Sequence, residues 1–350
     1  MADWKYHIGG VGLEMAYFSG LSRLAEKRAS GQGLVLKLGR VRPRHAAAFR
    51  PLQSQEITPE FLDRIIATLK RGGFDIVSMD EACERSKRAP ERRFAVLTFE
   101  GAYRDFLSHA YPVLRSHHLP FTVYAPTGLI DGVVLPWWLV LASVIQQIPR
   151  VALVMNGEER RFRSTSISEK YAVFDVIHEW MRGLPPEDIA SAVKDICKRY
   201  KIDIDPIVRD VFMTWPEITT LADDPAATIG SATVNYPALT NLSAVAALRE
   251  MKMGRRVLES ALQRPCVHFS YPFGDAGSFT ERDVHLAEEA GFASAVSSQA
   301  GLILTDGATR PLDMPRIVWD GRRSSTRALQ VLMSGLVMQR RKTVVEAAAD

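Results

Sequence analysis

Phe94-Ala95-Val96-Leu97-Thr98-Phe99-Glu100-Gly101-Ala102-Tyr103-Arg104-Asp105 is the stretch on which the fold turns. Phe94 to Phe99, apolar apart from one threonine, reads as a strand that delivers Glu100 to its C-terminal end. Upstream, Leu34-Val35-Leu36-Lys37-Leu38 reads as a second buried strand. Thr58-Pro59-Glu60 then opens a helix with a capping residue, proline in the first turn and an early acid. Phe61, Leu62, Ile65, Ile66 and Leu69 share one face of that helix, and Gly72-Gly73 ends it. Phe74 to Met79 gives a short strand followed by a helix from Asp80, and a helix from about Tyr103 to Ser116 leads to a strand at Phe121 to Ala125. Strand, helix and strand repeat at spacings that suit parallel pairing.

The rhythm breaks between residues 135 and 215. Pro136-Trp137-Trp138 starts an apolar helix, and Val151 to Met155 with Arg160-Arg161-Phe162 flank Asn156-Gly157, a hairpin signal. Helices follow near Ser168 to Arg182 and Pro186 to Tyr200. Beyond this α-rich insertion the alternation returns, with strands at Ala227 to Gly230, Val267 to Tyr271 and Phe292 to Val296 and helices at Ser243 to Leu262 and Thr280 to Ala290. No internal repeat or low-complexity tract interrupts it.

A chain of 350 residues with 47% hydrophobic and 24% charged content can bury a large core, as one big domain or two smaller ones. The net charge of +4 is small, and the basic runs Arg160-Arg161, Arg322-Arg323 and Arg340-Arg341-Lys342 read as solvated faces, so no nucleic-acid partner is implied. Cys83, Cys197 and Cys266 are odd in number and far apart, giving neither a disulfide framework nor a metal knuckle. Asp3, Lys5, His7 and Glu14 break any apolar leader near the N-terminus, and no apolar run is long enough to span a membrane. The expectation is a soluble cytoplasmic protein. Val11 to Leu24 has loosely helical apolar spacing, read as packing against the domain rather than lying on a membrane surface.

The opening stretch resembles the first signature of the polysaccharide deacetylases, carbohydrate esterase family 4, which include the nodulation-type chitooligosaccharide deacetylases. That signature reads T-F-D-D-G-Y-R-D, and here Glu100 and Gly101 stand at its two aspartates. Ile229-Gly230-Ser231-Ala232-Thr233-Val234-Asn235-Tyr236-Pro237-Ala238-Leu239 is similar to the family's G-S-H-T-V-x-H-P-x-L, with Ala232 and Tyr236 at the histidines. Gln55 to Asp63, Phe121 to Gly132, His268-Phe269-Ser270-Tyr271-Pro272-Phe273-Gly274-Asp275 and Met314-Pro315-Arg316-Ile317 match further family segments. Leu38-Gly39-Arg40-Val41-Arg42-Pro43 stands where relatives often carry a His-rich strand end.

The resemblance implies a distorted (β/α) barrel of about seven strands, spanning residues 34–335 with the insertion at about 135–215. An N-terminal helical extension (1–33) precedes it and a basic, Ala-rich tail (336–350) follows. Functional residues cluster at the C-terminal strand ends of such barrels, which is where the strand reading puts Glu100, Ser231 to Tyr236 and Tyr271 to Gly274.

In the family a divalent metal such as zinc polarises the acetamide carbonyl and its bound water, an aspartate takes a proton from that water, and a histidine protonates the leaving amine. Gly101, Ala232 and Tyr236 replace the metal ligands, and no histidine follows His285 to act as the acid. No cofactor is therefore expected. The reading is a catalytically impaired or inactive homologue that binds an N-acetylated oligosaccharide or a protein partner. The alternative is an active hydrolase of an amide C–N or acetyl ester bond, with Glu100 as base at a pKa raised by burial and Tyr236, Asp105 or Arg104 stabilising charge.

Candidate ligand-binding residues are Tyr103, Arg104, Asp105, Asn235, Tyr271, Phe273, Trp137, Trp138 and Arg316, with Tyr236 and Trp319 as further aromatic platforms for sugar rings. For Trp137 and Trp138, stapling the insertion to the barrel is the plainer role. His117 and His118 point apart as adjacent residues at a helix end, and His268 reads as a core histidine that could also face the pocket.

Overall fold

The computed structural model describes residues 12–19, 31–88, 92–304 and 309–335. The ends of the expected N-terminal extension, Asp3, Lys5 and His7 among them, and the C-terminal tail with Arg340-Arg341-Lys342 lie outside the described residues.

Among the described residues thirteen strands are defined in chain order: β1 (Gly31–Leu38), β2 (Arg40–Val41), β3 (Glu56–Ile57), β4 (Asp75–Ile76), β5 (Phe94–Glu100), β6 (Phe121–Ala125), β7 (Arg150–Met155), β8 (Glu158–Arg163), β9 (Ala227–Ser231), β10 (His268–Ser270), β11 (Ser294–Val296), β12 (Ile303–Leu304) and β13 (Ile317–Val318). Seven form the main path of a curled sheet, in the order β11-β10-β9-β6-β5-β1-β12, with β4 paired to β5 and β13 to β1. All pairs along it are parallel except β1 with β12. This is the deformed (β/α) barrel that the resemblance implied, with the parallel pairing that the strand rhythm suited.

Side-chain alternation explains why a barrel forms and where its site must be. Leu36, Leu38, Leu97, Phe99, Phe121 and Val123 point outward into one apolar cluster with Phe61, Leu62, Ile65 and Ile66 of the helix Pro59–Arg71. The intervening residues Val35, Phe94, Val96 and Tyr124 join a second cluster inside the barrel with Ala232 and Val296. Register aligns these inner residues across strands: Lys37 lies opposite Thr98, Glu100 opposite Tyr124, and Tyr124 opposite Gly230. Lys37 and Glu100 are therefore carried to the same end of the barrel interior by strand period alone.

Helix starts differ from the sequence reading in two places. Ser78 caps the helix Met79–Ser86, so the strand before it shortens to Asp75–Ile76. The helix expected from Tyr103 begins only at Phe106, because Gly101 (φ 97°) and Ala102 (φ 51°) turn the chain in the left-handed region. Its first turn is a wide π turn in which the Tyr111 N–H donates to the Phe106 carbonyl, followed by Tyr111–Ser116. Pro112, which has no N–H to give an α-helical partner, follows at once.

The segment between β6 and β9 has a core of its own. The helix Trp137–Gln147, the β7–β8 hairpin turned by Asn156 and Gly157, and the helices Ile167–Arg182 and Pro186–Tyr200 bury Leu141, Val144, Val151, Leu153, Phe174, Ile177 and Ile196 together. It returns to the barrel through the stacked rings of Tyr103 and Phe212, through the Met213 N–H on the Ala102 carbonyl, and through Arg104, which pairs with Asp210 and Glu217. Residues 12–18 form a helix that packs Leu13 into the main core. Its Glu14 accepts from Ser325 and Arg327 at the start of the helix Thr326–Met333. No helix among the described residues is long and apolar enough to cross a membrane.

Candidate functional site

A cavity of about 430 Å³ opens at the C-terminal ends of the strands. The barrel contributes Lys37, Arg40, Glu100, Gly101, Tyr103, Tyr236, Phe273, Asp275, Ser298 and Trp319, and the α-rich segment contributes Trp138, His178 and Arg182 as a wall.

Glu100 lies on the floor. Ser270 donates to its Oε1 at 2.6 Å and the Tyr236 hydroxyl reaches the same atom at 3.4 Å, while Arg316 and Lys37 meet Oε2 at 2.9 and 3.2 Å. Burial alone would push this carboxyl up, but the charges of Arg316 and Lys37 and the Ser270 hydrogen bond outweigh it and hold it at about 2. The raised pKa expected for a catalytic Glu100 is thus corrected: its neighbours, not its burial, decide the sign.

Arg316 is fully buried, with its Nε on the Ser297 carbonyl at 2.6 Å and one terminal nitrogen on the Ser270 hydroxyl at 2.9 Å. It lies beneath the carboxylate and outside the cavity lining. Lys37 faces the cavity, with Ser298 Oγ at 3.1 Å and the Phe273 carbonyl at 3.5 Å beside Glu100. Its amine falls to about 8, by burial first and then by the Arg316 charge, against the raising pull of Glu100 and Asp275.

The positions that bind metal in the family do not fit a divalent cation here. Gly101 has no donor, and Ala232 is buried in the apolar cluster with Val35 and Tyr124. The Tyr236 hydroxyl, pushed well above the ordinary phenol range by burial and by Glu100, is already engaged with Glu100 and with the Phe273 N–H at 3.3 Å. Lys37, a cation, occupies the remaining carboxylate oxygen. Among the described residues no group of three histidine, cysteine, aspartate or glutamate side chains could hold a metal. Gly101 is moreover no simple deletion. A Cβ there would lie 2.7 Å from the Tyr103 ring, at a φ that side chains rarely adopt.

Aromatic walls surround the charged floor. Tyr236 packs against Trp138 and Phe273 with ring centroids 6.1 and 5.2 Å apart, and Trp138 Nε1 donates to the Tyr103 hydroxyl at 3.0 Å. Burial raises Tyr103 to about 12, so it stays protonated. Thr233, Tyr236 and Phe273 all have left-handed backbone (φ 68°, 55° and 60°), the strained conformation that concentrates at functional sites.

Of the residues singled out from sequence, Glu100, Gly101, Tyr103, Trp138, Tyr236, Phe273 and Trp319 meet at the cavity. Trp137 is instead buried in the core of the α-rich segment against His178. Tyr271 stacks on Phe279 and donates to the Leu312 carbonyl, because it leaves β10 toward the outer helices. Asn235 is spent on Glu250, which also accepts the Val234 and Asn235 N–H groups at 3.1 and 2.9 Å. Arg104 faces away from the cavity to Asp210 and Glu217, and Asp105 is held by Arg40 at 2.7 Å. His268 is a core residue bonded to Ser294 and Asp80, and His117 pairs with Asp63 at the surface.

Lys37, Arg40, His178, Arg182 and Ser298 were not singled out. Lys37 left a signal, being the lone charge inside an apolar strand. His178 and Arg182 left only their i, i+4 spacing. His178 is lowered to about 4 by burial and by Arg182, so it lines the cavity as a neutral imidazole.

Residues 172–295 match the family model of the polysaccharide deacetylases. Among solved structures, the Streptococcus pyogenes deacetylase PplD in complex with acetate is 15% identical with a TM-score of 0.55, over 85% of this chain and 97% of that one. IcaB from Ammonifex degensii is 13% identical with a TM-score of 0.55, over 87% of this chain and 98% of its own. The de-N-acetylase from Aggregatibacter actinomycetemcomitans is 14% identical with a TM-score of 0.54, over 85% of this chain and 99% of its own. These likenesses are of fold. A comparison with the curated proteins finds no match. Over residues 172–295 the chain is similar to the polysaccharide deacetylases, and its motifs resemble theirs beyond that span.

Two outcomes are expected. Gly101→Asp loses about 1–3 kcal/mol of stability in urea denaturation, from backbone strain and the Tyr103 contact, and its calorimetric titration with zinc shows no binding, since Ala232 and Tyr236 still supply no ligand. The Lys37 amine, followed by NMR, titrates with a midpoint of about 8. In Glu100→Gln, which removes the charge that raises it, the midpoint falls further.

Proposed function

We propose that this polysaccharide deacetylase-family chain binds an N-acetylated oligosaccharide in the cavity and does not deacetylate it. One observation carries the reading: an aromatic-walled cavity stays open while the carboxylate at the base position has both oxygens bound by Ser270, Arg316 and Lys37. A sugar ring offers C–H faces that suit the Trp138, Tyr236 and Phe273 rings and hydroxyls that suit a neutral imidazole, phenols and charged edges.

The alternative, hydrolysis of an amide or acetyl ester with Glu100 as base, is disfavoured on chemical grounds. A carboxylate held at about 2 is a weak base at neutral pH, and a general base works best with a pKa near the working pH. Loss of a metal's Lewis acidity and of its lowered water pKa removes several kcal/mol of barrier lowering, at about 1.4 kcal/mol for each factor of ten in rate. The proposal sets the protein in a reducing, cytoplasmic environment, supported by the free thiols of Cys83, Cys197 and Cys266.

The test measures acetate release and binding together, with N-acetylglucosamine oligomers and added zinc or cobalt. Expected are no acetate from the native protein or from Glu100→Ala, a quench or shift of tryptophan fluorescence on adding the oligomer, and affinity weakened about 3- to 10-fold in Trp138→Ala. Acetate release that disappears in Glu100→Ala overturns the reading in favour of the hydrolase.

A further inference from the structure

The cavity carries one positive charge more than its acids neutralise, and the surplus sits beside the aromatic walls. Each lining acid already has a cation: Asp275 is held by Arg182 through both oxygens, Asp320 by Arg322 at 2.8 Å, and Glu100 by both Arg316 and Lys37. The last group is two cations on one carboxylate. Arg40, also in the lining, is neutralised from behind by Asp105 at 2.7 Å. A buried excess charge is costly unless a partner offsets it.

The cations are also presented in a usable form. The guanidinium of Arg40 lies over the Tyr103 ring at 4.5 Å, and that of Arg182 over the Phe273 ring at 4.7 Å. Arg40 is tied to Asp105 through Nε and one terminal nitrogen, and Arg182 to Asp275 through a single terminal nitrogen. Each keeps a further N–H without a protein acceptor among the described residues. Stacked guanidinium planes with a spare edge recognise planar carboxylates, and the rings beneath them recognise apolar sugar faces. The two features lie in one cavity with the surplus ammonium of Lys37 between β1 and β5.

We infer that the sugar taken by this cavity carries a carboxylate on its ring, a hexuronic-acid unit, with the acid facing Lys37 and the free edges of Arg40 and Arg182 and the ring against the aromatic wall. The inference rests on the carbohydrate-binding reading and adds the class of sugar to it. Its carboxylate supplies the missing counter-charge, so no proton need leave Lys37 and no metal need enter. A sulfated sugar would bring charge without the planar two-oxygen face that a guanidinium fork matches.

The experiment titrates the full chain, at low ionic strength, with three matched disaccharides: glucuronic acid linked to N-acetylglucosamine, the same compound with its carboxylate reduced to the alcohol, and a 6-O-sulfated N-acetylglucosamine disaccharide. The expected result is that the acid binds at least about tenfold tighter than its reduced form, that added salt narrows this ratio, and that the sulfated compound is weaker than the carboxylate. The ratio should collapse toward one in Lys37→Met and shrink in Arg182→Gln. The second variant changes a residue at the cavity edge, which keeps the test decisive if the first fails to fold. Equal binding of the acidic and reduced sugars, or tighter binding of the sulfated one, overturns the inference and leaves the carbohydrate-binding reading standing. Binding of none of the three overturns both.

Discussion

A carboxylate at the buried end of a barrel strand must find a cation, and the rest of the site is arranged around how Glu100 finds two. Placing an ion of this kind in a low-dielectric interior costs several kcal/mol unless charges and hydrogen bonds surround it. Arg316 comes from the chain just before β13, Lys37 from β1 and Ser270 from β10, so the contact ties together strands far apart in sequence. It also depends on register. Shift β1 by one residue against β5 and Lys37 moves to the outer face among the helices while a leucine enters the pocket. The Glu100 cluster is thus both the chemical centre of the cavity and a constraint on how the barrel closes.

The second determinant is the α-rich segment between β6 and β9. Without it the strand ends would open to solvent as a shallow depression. Trp138, His178 and Arg182 supply a wall with its own buried core behind it, and Arg182 reaches across to Asp275 and to the face of Phe273 in the loop after β10. Asn241 donates to the Arg182 carbonyl from the same side, fixing the end of that helix. The wall is therefore fastened at the site itself, and the stacked Tyr103 and Phe212 rings fasten its return to the barrel.

Much of the fold was legible because long apolar runs leave little choice. β1, β5 and β6, the helix Pro59–Arg71 and the Asn156-Gly157 hairpin follow directly from period and turn chemistry. β12 and β13 were not legible, since two residues show no period and their pairing with β1 is set by the barrel as a whole. Within the site, the strand-end rule found Glu100 and Tyr236. It failed for Arg104, which follows the left-handed turn at Gly101 and Ala102 where alternation no longer says which way a side chain points, and for Tyr271, which keeps the outward side of Phe269 two residues earlier in β10. The left-handed backbone at Ala102 and Phe273 makes the difference, sending Tyr103 and Phe273 to the cavity and their neighbours elsewhere. His178 and Arg182 were hidden for another reason: on an amphipathic helix, a residue facing a pocket and one facing solvent are both polar.

The replacement of metal ligands has a physical consequence beyond its bearing on catalysis. In the family's pattern the positive charge of the site is a bound ion, present or absent according to supply. In this chain the charge is carried by Lys37 and Arg316, covalently part of the protein and placed by the strands that make the barrel. It cannot be removed by a chelator, and it cannot polarise a water as a dication does, because an ammonium donates hydrogen bonds and has no open coordination position. What it retains is the capacity to attract and orient an anion. Lys37 can change its charge in the ordinary range, near pH 8, while Glu100, held at about 2, stays ionised. On the proposed reading the chemistry of the cavity is recognition, set by a fixed charge excess among aromatic rings and adjustable by a single proton.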